Sequence, residues 1–339
     1  MTEDHTGYQE YEGEFSKGKY SGFFRIRYPD GGLYDGEYLD GKRSGHGKYT
    51  FPNGDVYEGE FRDGVFNGNG KYTSQKGEVY EGGFRNGRYN GRGKYTSPLG
   101  HSYDGGFRDG QYSGRGRYVF PNGDVYEGEF LNSMKNGYGR MVYSNGDVYE
   151  GEFRDGERNG RGRQTLDNNA IVQEGEWLDD CQEGHGTYTW CNGEGRYEGG
   201  FHNGAYCGYG VLTYPDGLRY EGVFRDYECN GHCKCTYPNG IRFEGEFKDG
   251  HAVGPGTVYF TDGTRFEGEF RYRDRSNPGR DIADENSGQG VFTDLEGHRH
   301  RAEWILSESY VDCTGETFLS KSRYFSYISD DIIDDEDGP

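Results

Sequence analysis

The sequence predicts an all-β protein, an elongated single-layer antiparallel meander of β-hairpins, twisted and with a concave aromatic groove. Three observations lead there. The string Tyr-Glu-Gly-Glu-Phe or a close variant begins at Tyr11, Tyr34, Tyr57, Tyr80, Tyr103, Tyr126 and Tyr149, each 23 residues after the last. Inside each copy an aromatic or small residue alternates with a charged one, the period of a half-buried strand. The 339 residues include 62 Gly, 32 Tyr and 21 Phe but are only 31% hydrophobic, so rings laid on glycine must replace an aliphatic core.

A degenerate copy starts at Gln173, regular ones at Tyr197, Tyr220, Phe243 and Phe266, and a worn one at His300 with Ala302 and Trp304, making twelve clear copies and a thirteenth. In the unit Asp55 to Thr73, Tyr57, Gly59 and Phe61 share one strand face. Arg62-Asp63-Gly64 marks a turn, and Gly68, Gly70 and Tyr72 share a face of the returning strand. Asn53-Gly54, Asn122-Gly123, Asn145-Gly146, Asp216-Gly217, Asn239-Gly240 and Asp262-Gly263 close the units with pairs favoured in tight hairpin turns. Glycine within a strand costs about 0.5–1 kcal/mol, so Gly59, Gly68 and Gly70 are expected to make room for rings from neighbouring strands. The other face carries Glu58, Glu60 and Lys71, which set register through weak cross-strand pairs.

Several classes of function are excluded. A net charge of −21 opposes nucleic-acid binding, which draws its affinity from Lys and Arg on phosphates. The charge is uneven: residues 1–168 hold 23 Lys+Arg against 26 Asp+Glu, and residues 169–339 hold 15 against 33. Glycine-rich strings such as Gly45-His46-Gly47-Lys48 lack the full phosphate-loop pattern. The carboxylates recur with the repeat and form no single pair tuned for acid–base work, and no Ser, His or Cys stands in a nucleophile motif. No enzyme and no cofactor is expected. Seven cysteines, no Asn-x-Ser/Thr acceptor, no leader and no membrane-length apolar run suggest a reducing, intracellular setting.

Tyr57 to Thr73, preceded by Pro52 to Val56, reads Tyr-Glu-Gly-Glu-Phe, Asp-Gly, Asn-Gly-x-Gly-Lys-Tyr-Thr after Pro-Asn-Gly-Asp-Val, and it resembles the MORN (membrane occupation and recognition nexus) repeat family over residues 11 to about 304. The resemblance implies a stand-alone hairpin array, a non-catalytic scaffold for protein–protein assembly. It implies a cytoskeletal setting, with the cilium or flagellum axoneme (radial spoke-like) foremost and the membrane skeleton beside it. It also implies a groove that holds a partner's helix or extended segment, and dimerisation through terminal repeats. The alternative it raises is a peripheral membrane organiser recognising anionic phospholipids. No polybasic cluster supports that reading.

The candidate partner-binding residues are the exposed stripe Tyr49, Tyr72, Tyr95, Tyr118, Tyr143, Tyr188, Tyr214, Tyr237 and Tyr259, because aromatic rings dominate interface energetics. Cys207, Cys233 and Cys235 are candidate zinc ligands, against a bland reading in which small soft side chains fill a narrow spot. Four segments flank or interrupt the array. Residues 1–10 read as an N-terminal cap, an insertion lies near 272–287, residues 305–329 are a C-terminal cap or docking segment, and 330–339 are an acidic disordered tail.

Overall fold

Most of the described strands follow from the alternation of ring or glycine with polar or charged residues, because that pattern offers one face to bury and one to leave in water. The structure is a computed structural model and describes residues 11–12, 15–16, 19–271, 285–307, 310–311, 317–318 and 323–332. No α-helix occurs among them; the rest is antiparallel strand, hairpin turn and two short 3-10 turns. The chain divides into two units at Gly160 and Arg161.

In the first unit each copy is one hairpin. Val56–Arg62 pairs with Val65–Thr73 so that Tyr57 faces Tyr72, Gly59 faces Gly70 and Phe61 faces Phe66, with a register shift between Gly59 and Phe61. The returning strand pairs with the next copy, Tyr72 facing Tyr80 and Lys71 facing Glu81. The same pattern joins Leu33–Leu39 to Lys42–Thr50, Ser102–Arg108 to Gln111–Val119 and Val125–Leu131 to Met134–Val142. At the start, Gly22–Arg27 pairs with both Leu33–Leu39 and the short Tyr11–Glu12.

The second unit runs the same way from Ile171–Leu178 and Cys181–Trp190 through Arg265–Arg271, Glu285–Thr293 and Arg299–Ser307. In the last pairing of copies Ala302 faces Gly290, standing where the other copies carry glycine. Arg323–Ile332 then lies antiparallel along Arg299–Ser307. Of the flanking segments, the 1–10 cap, the insertion over 272–284 and the tail over 333–339 lie outside the described residues. Residues 285–287, read as part of the insertion, are strand, and so are residues 330–332, read as tail.

The turns differ from the sequence reading. The two-residue hairpin turn is Asp63-Gly64, with both residues at positive φ (51° and 87°), and not Asn53-Gly54. The latter sits in a longer loop closed by Phe51 N–H to Asp55 O (2.8 Å) and Gly54 N–H to Phe51 O (3.0 Å), where only Gly54 is left-handed. The loop is longer because Pro52 and the Asn53 side chain, which accepts from Asp55 N–H at 3.1 Å, add a local turn of their own.

Candidate functional site

The buried face is a ladder of rings. Tyr57 is fully buried, and so are Tyr34, Tyr80, Tyr103, Tyr126, Tyr149 and Tyr197 at the same position. Its hydroxyl donates to Glu60 O at 2.8 Å, so the ring lies flat over the Gly59–Gly70 pair. A Cβ on Gly70 would stand 2.5 Å from that hydroxyl, and one on Gly59 2.5 Å from Asn69 O. The expected reason for strand glycine therefore holds for Gly70, which seats a ring of the neighbouring strand, whereas Gly59 makes room first for the returning main chain at Gly70 and Asn69. Gly68 serves differently: it takes φ +97° beside the bulge, and its Cβ would meet the Glu60 side chain.

Each ring touches its own copy and the next. Tyr57 meets Phe61 edge-on at 5.1 Å and Phe84 of the following copy at 4.9 Å, and Phe66 stacks on it at 3.8 Å. Tyr80 with Tyr89, Tyr103 with Tyr112 and Tyr197 with Tyr206 repeat that stack at 3.7, 3.9 and 3.7 Å. Elsewhere a cation takes the stacking position, as Arg43 over Tyr34, Lys135 over Tyr126 and Arg158 over Tyr149. Sequence reading missed this position because its residue type varies; its signal is a ring or long cation two residues after most hairpin turns.

All nine stripe tyrosines are half-buried, and they occupy three different positions. Tyr49, Tyr72, Tyr95, Tyr118 and Tyr188 stand opposite the buried tyrosine position on the ring face. Tyr143, Tyr214 and Tyr237 open the long loops, their N–H groups bonded to Asp147, Leu218 and Ile241 carbonyls. Tyr259 departs from the stripe. It faces Arg242 and Arg265 on the opposite side from Val258, with the Arg242 guanidinium 4.6 Å above its ring, because Val258 holds the tyrosine position in that copy. Several of these rings are pinned within the chain. Tyr72 donates to Asp55 at 2.5 Å, Tyr95 to Glu78 at 3.1 Å, and Tyr49 packs edge-on against Phe51 at 4.6 Å. The Tyr72 hydroxyl, with Gln75 N–H and Asn53, holds the Asp55 carboxyl below the usual carboxylate range.

The ring face opens in the second unit into an apolar hollow of about 630 Å³ walled by Tyr188, Trp190, Tyr206, Leu212, Tyr214 and Tyr227. It forms where the repeat is irregular. Gln182 replaces a stacking ring, Leu212 replaces a tyrosine, and 3-10 turns at Asp167–Asn169 and Cys191–Gly193 replace the usual loop. Trp190 leans over Gly195, where a Cβ would collide with the indole, and meets Tyr214 edge-on at 6.0 Å. Tyr227 sits at φ +74° in a hairpin turn where most copies have glycine, and its ring packs edge-on against Tyr206 at 5.0 Å. A left-handed non-glycine costs about 1–2 kcal/mol, so this wall is kept against backbone preference.

The cysteine expectation changes. Cys233 and Cys235 are buried, but Cys207 is exposed and the buried neighbour is Cys229, at the stacking position facing Phe224. Cys233 Sγ contacts Val223 O at 3.5 Å, and its hydrogen bond with Cys229, together with burial, pushes the Cys229 thiol up. Cys233 replaces a cradle glycine, so Tyr220 is only half-buried where its counterparts are fully so. Among the described residues, the one group of three metal-capable side chains with converging ligand atoms is Asp294, Glu296 and His298, and the cysteines form none.

A family model, the MORN repeat, matches residues 11–33, 34–56, 57–79, 80–101, 103–125, 126–148, 149–170, 174–195, 197–219, 220–242 and 243–265. No curated protein matches. Among solved structures, the SAS-4 (dCPAP) TCP domain of Drosophila melanogaster in complex with a proline-rich motif of Ana2 (dSTIL) is 14% identical, with 57% of this chain and 84% of that chain covered and a TM-score of 0.26. A streptogramin B lyase structure is also 14% identical, covering 90% and 96% of the two chains with a TM-score of 0.15.

Proposed function

The chain belongs to the MORN-repeat family, and from that premise we propose that it is a protein–protein assembly scaffold of a cytoskeletal structure, with the cilium or flagellum axoneme as its setting. The observation that carries the scaffold reading is the apolar hollow bounded by Trp190, Tyr188, Tyr206 and Tyr214. Large aromatic side chains around a recess are the composition of an interface hot spot, and a partner's apolar side chain fills such a recess. The axonemal setting rests on the resemblance alone. Tagging the chain in a ciliated cell and identifying co-purifying proteins tests the setting. Trp190→Ala and Tyr214→Ala test the site: folded variants, judged by circular dichroism, are expected to lose the co-purifying partner. Full retention of that partner by both variants rejects the hollow as its site.

A further inference from the structure

On the charged face, a glutamate in several hairpins folds back over the main chain. Glu37 Oε1 accepts from His46 N–H at 3.0 Å, and Glu60 Oε1 accepts from Asn69 N–H at 2.8 Å. The same carboxylates lie over Gly45 and Gly68, and Glu129 and Glu152 lie over Gly137 and Gly160 in the same way. In the two hairpins between, the glutamate is replaced by Gly83 and Gly106, and the space over Gly91 and Gly114 is empty to 4 Å. The residue whose N–H the glutamate caps elsewhere becomes arginine in both, Arg92 and Arg115. In a late hairpin the glutamate lies elsewhere, Glu246 standing 3.8 Å from His232 Nδ1. Pro255 has no N–H, and the space over Gly254 is empty although Glu246 is present.

Two hairpins of the first unit thus lose a carboxylate and gain a guanidinium each. They border an open trough of about 870 Å³ lined by Arg92, Arg115, Arg117, Arg140, Gly106 and Tyr138, with Asp104 and Glu127 as its acidic members. Arg117 is committed to Glu127 at 2.8 Å and Arg140 to Glu150 at 2.7 Å. Arg92, 88% exposed, only approaches Asp104 at 4.0 Å, and Arg115 has no ion pair among the described residues. This is a local cationic site in a chain of net charge −21.

We propose that Arg92 and Arg115, with the main-chain N–H groups beside them, bind an acidic peptide segment of a partner protein, whose side-chain carboxylates replace those the two hairpins lack. The two positions are one strand apart on either side of Ser102–Arg108, about 10 Å. Same-face residues of an extended segment stand about 7 Å apart, a difference the long arginine and glutamate stems span, so that each carboxylate takes one charge-assisted pair. A multiply charged phosphate would also have to sit against Asp104 and Glu127. The proposal names a partner chemistry for the assembly reading, on a different face from the apolar hollow, so either can fail alone.

The test uses the full chain and a fluorescent peptide of alternating glutamate and serine, read by anisotropy at low salt. Binding is expected, with none for the glutamine version. Arg92→Asn with Arg115→Asn, which places at both sites the residue already present at Asn69, is expected to weaken it about tenfold or more, and Arg62→Asn with Arg85→Asn, an equal charge change elsewhere, less than about twofold. Glu60→Gly with Asn69→Arg extends the site by one hairpin and is expected to tighten binding. Equal loss in both arginine pairs, no peptide binding, or binding through Arg92 and Arg115 of inorganic phosphate or phosphatidylserine vesicles but not the peptide overturns the proposal.

Discussion

Replacing Gly70 by alanine asks whether the glycine pair exists to seat a ring. The added methyl would stand 2.5 Å from the Tyr57 hydroxyl and 2.7 Å from Cε2 and Cζ, so the ring must move by about an ångström to reach ordinary contact. It has nowhere to go, being stacked on Phe66 and flanked edge-on by Phe61 and Phe84. Overpacking of this kind costs about 1–3 kcal/mol, and losing the bond to Glu60 O costs about 1 more. The stiffer unfolded chain returns about 0.5–1, leaving a net loss of about 1–3.5 kcal/mol. Gly64→Ala is the control: nothing lies within 4 Å, and only its φ of +87° is penalised, by about 1 kcal/mol. Because repeat arrays open locally, native-state hydrogen exchange across Val56–Thr73 is the right readout. Should Gly70→Ala exchange no faster than Gly64→Ala, the cradle argument fails. Nature has run the experiment at Cys233, where the side chain is tolerated only with Tyr220 displaced.

Tyr227→Gly is expected to stabilise its turn by about 1 kcal/mol while weakening partner binding at the hollow, measured by thermal melts and co-purification in parallel. Asp55 has a depressed folded pKa, so its contribution is present above the ordinary aspartate range and lost as pH falls through the folded value. Carbon-detected NMR titration of Tyr72→Phe is expected to show that carboxyl moving up toward an unperturbed aspartate. Burial pushes Tyr89 and Tyr103 up to about 12, so their contribution is full below pH 10 and lost as pH rises through about 12; phenolate absorbance is expected to lag behind that of exposed tyrosines and to appear with unfolding. Thiol labelling of the native chain is expected to modify Cys181 and Cys207 quickly and to spare Cys229, Cys233 and Cys235 until urea is added.

The strand positions, the ring face and the purpose of Gly70 were legible because they depend on period and on size, both of which a single sequence displays. The turns were less so. Asp-Gly and Asn-Gly carry the same local signal at Gly64 and Gly54, and which becomes the two-residue turn depends on the register of the flanking strands. The stripe tyrosines were found by residue type, but a tyrosine shifted by one position crosses the sheet, as Tyr259 does. The hollow was illegible because it arises from what several copies lack, Gln182 and Leu212 where rings are expected, and a missing side chain has no motif. Arg92 and Arg115 were in plain view; their meaning emerged only once Glu60 was seen resting on Asn69 N–H.

The stacking position also changes character along the second unit. Tyr206 carries a stack on Tyr197, but Cys229 and Ala252 put small side chains at the next two such positions. There the buried core passes instead through Phe224, Phe243 and Phe247 with Cys229, Cys233 and Cys235, so neighbouring copies stay joined by a different set of contacts where the stack lapses.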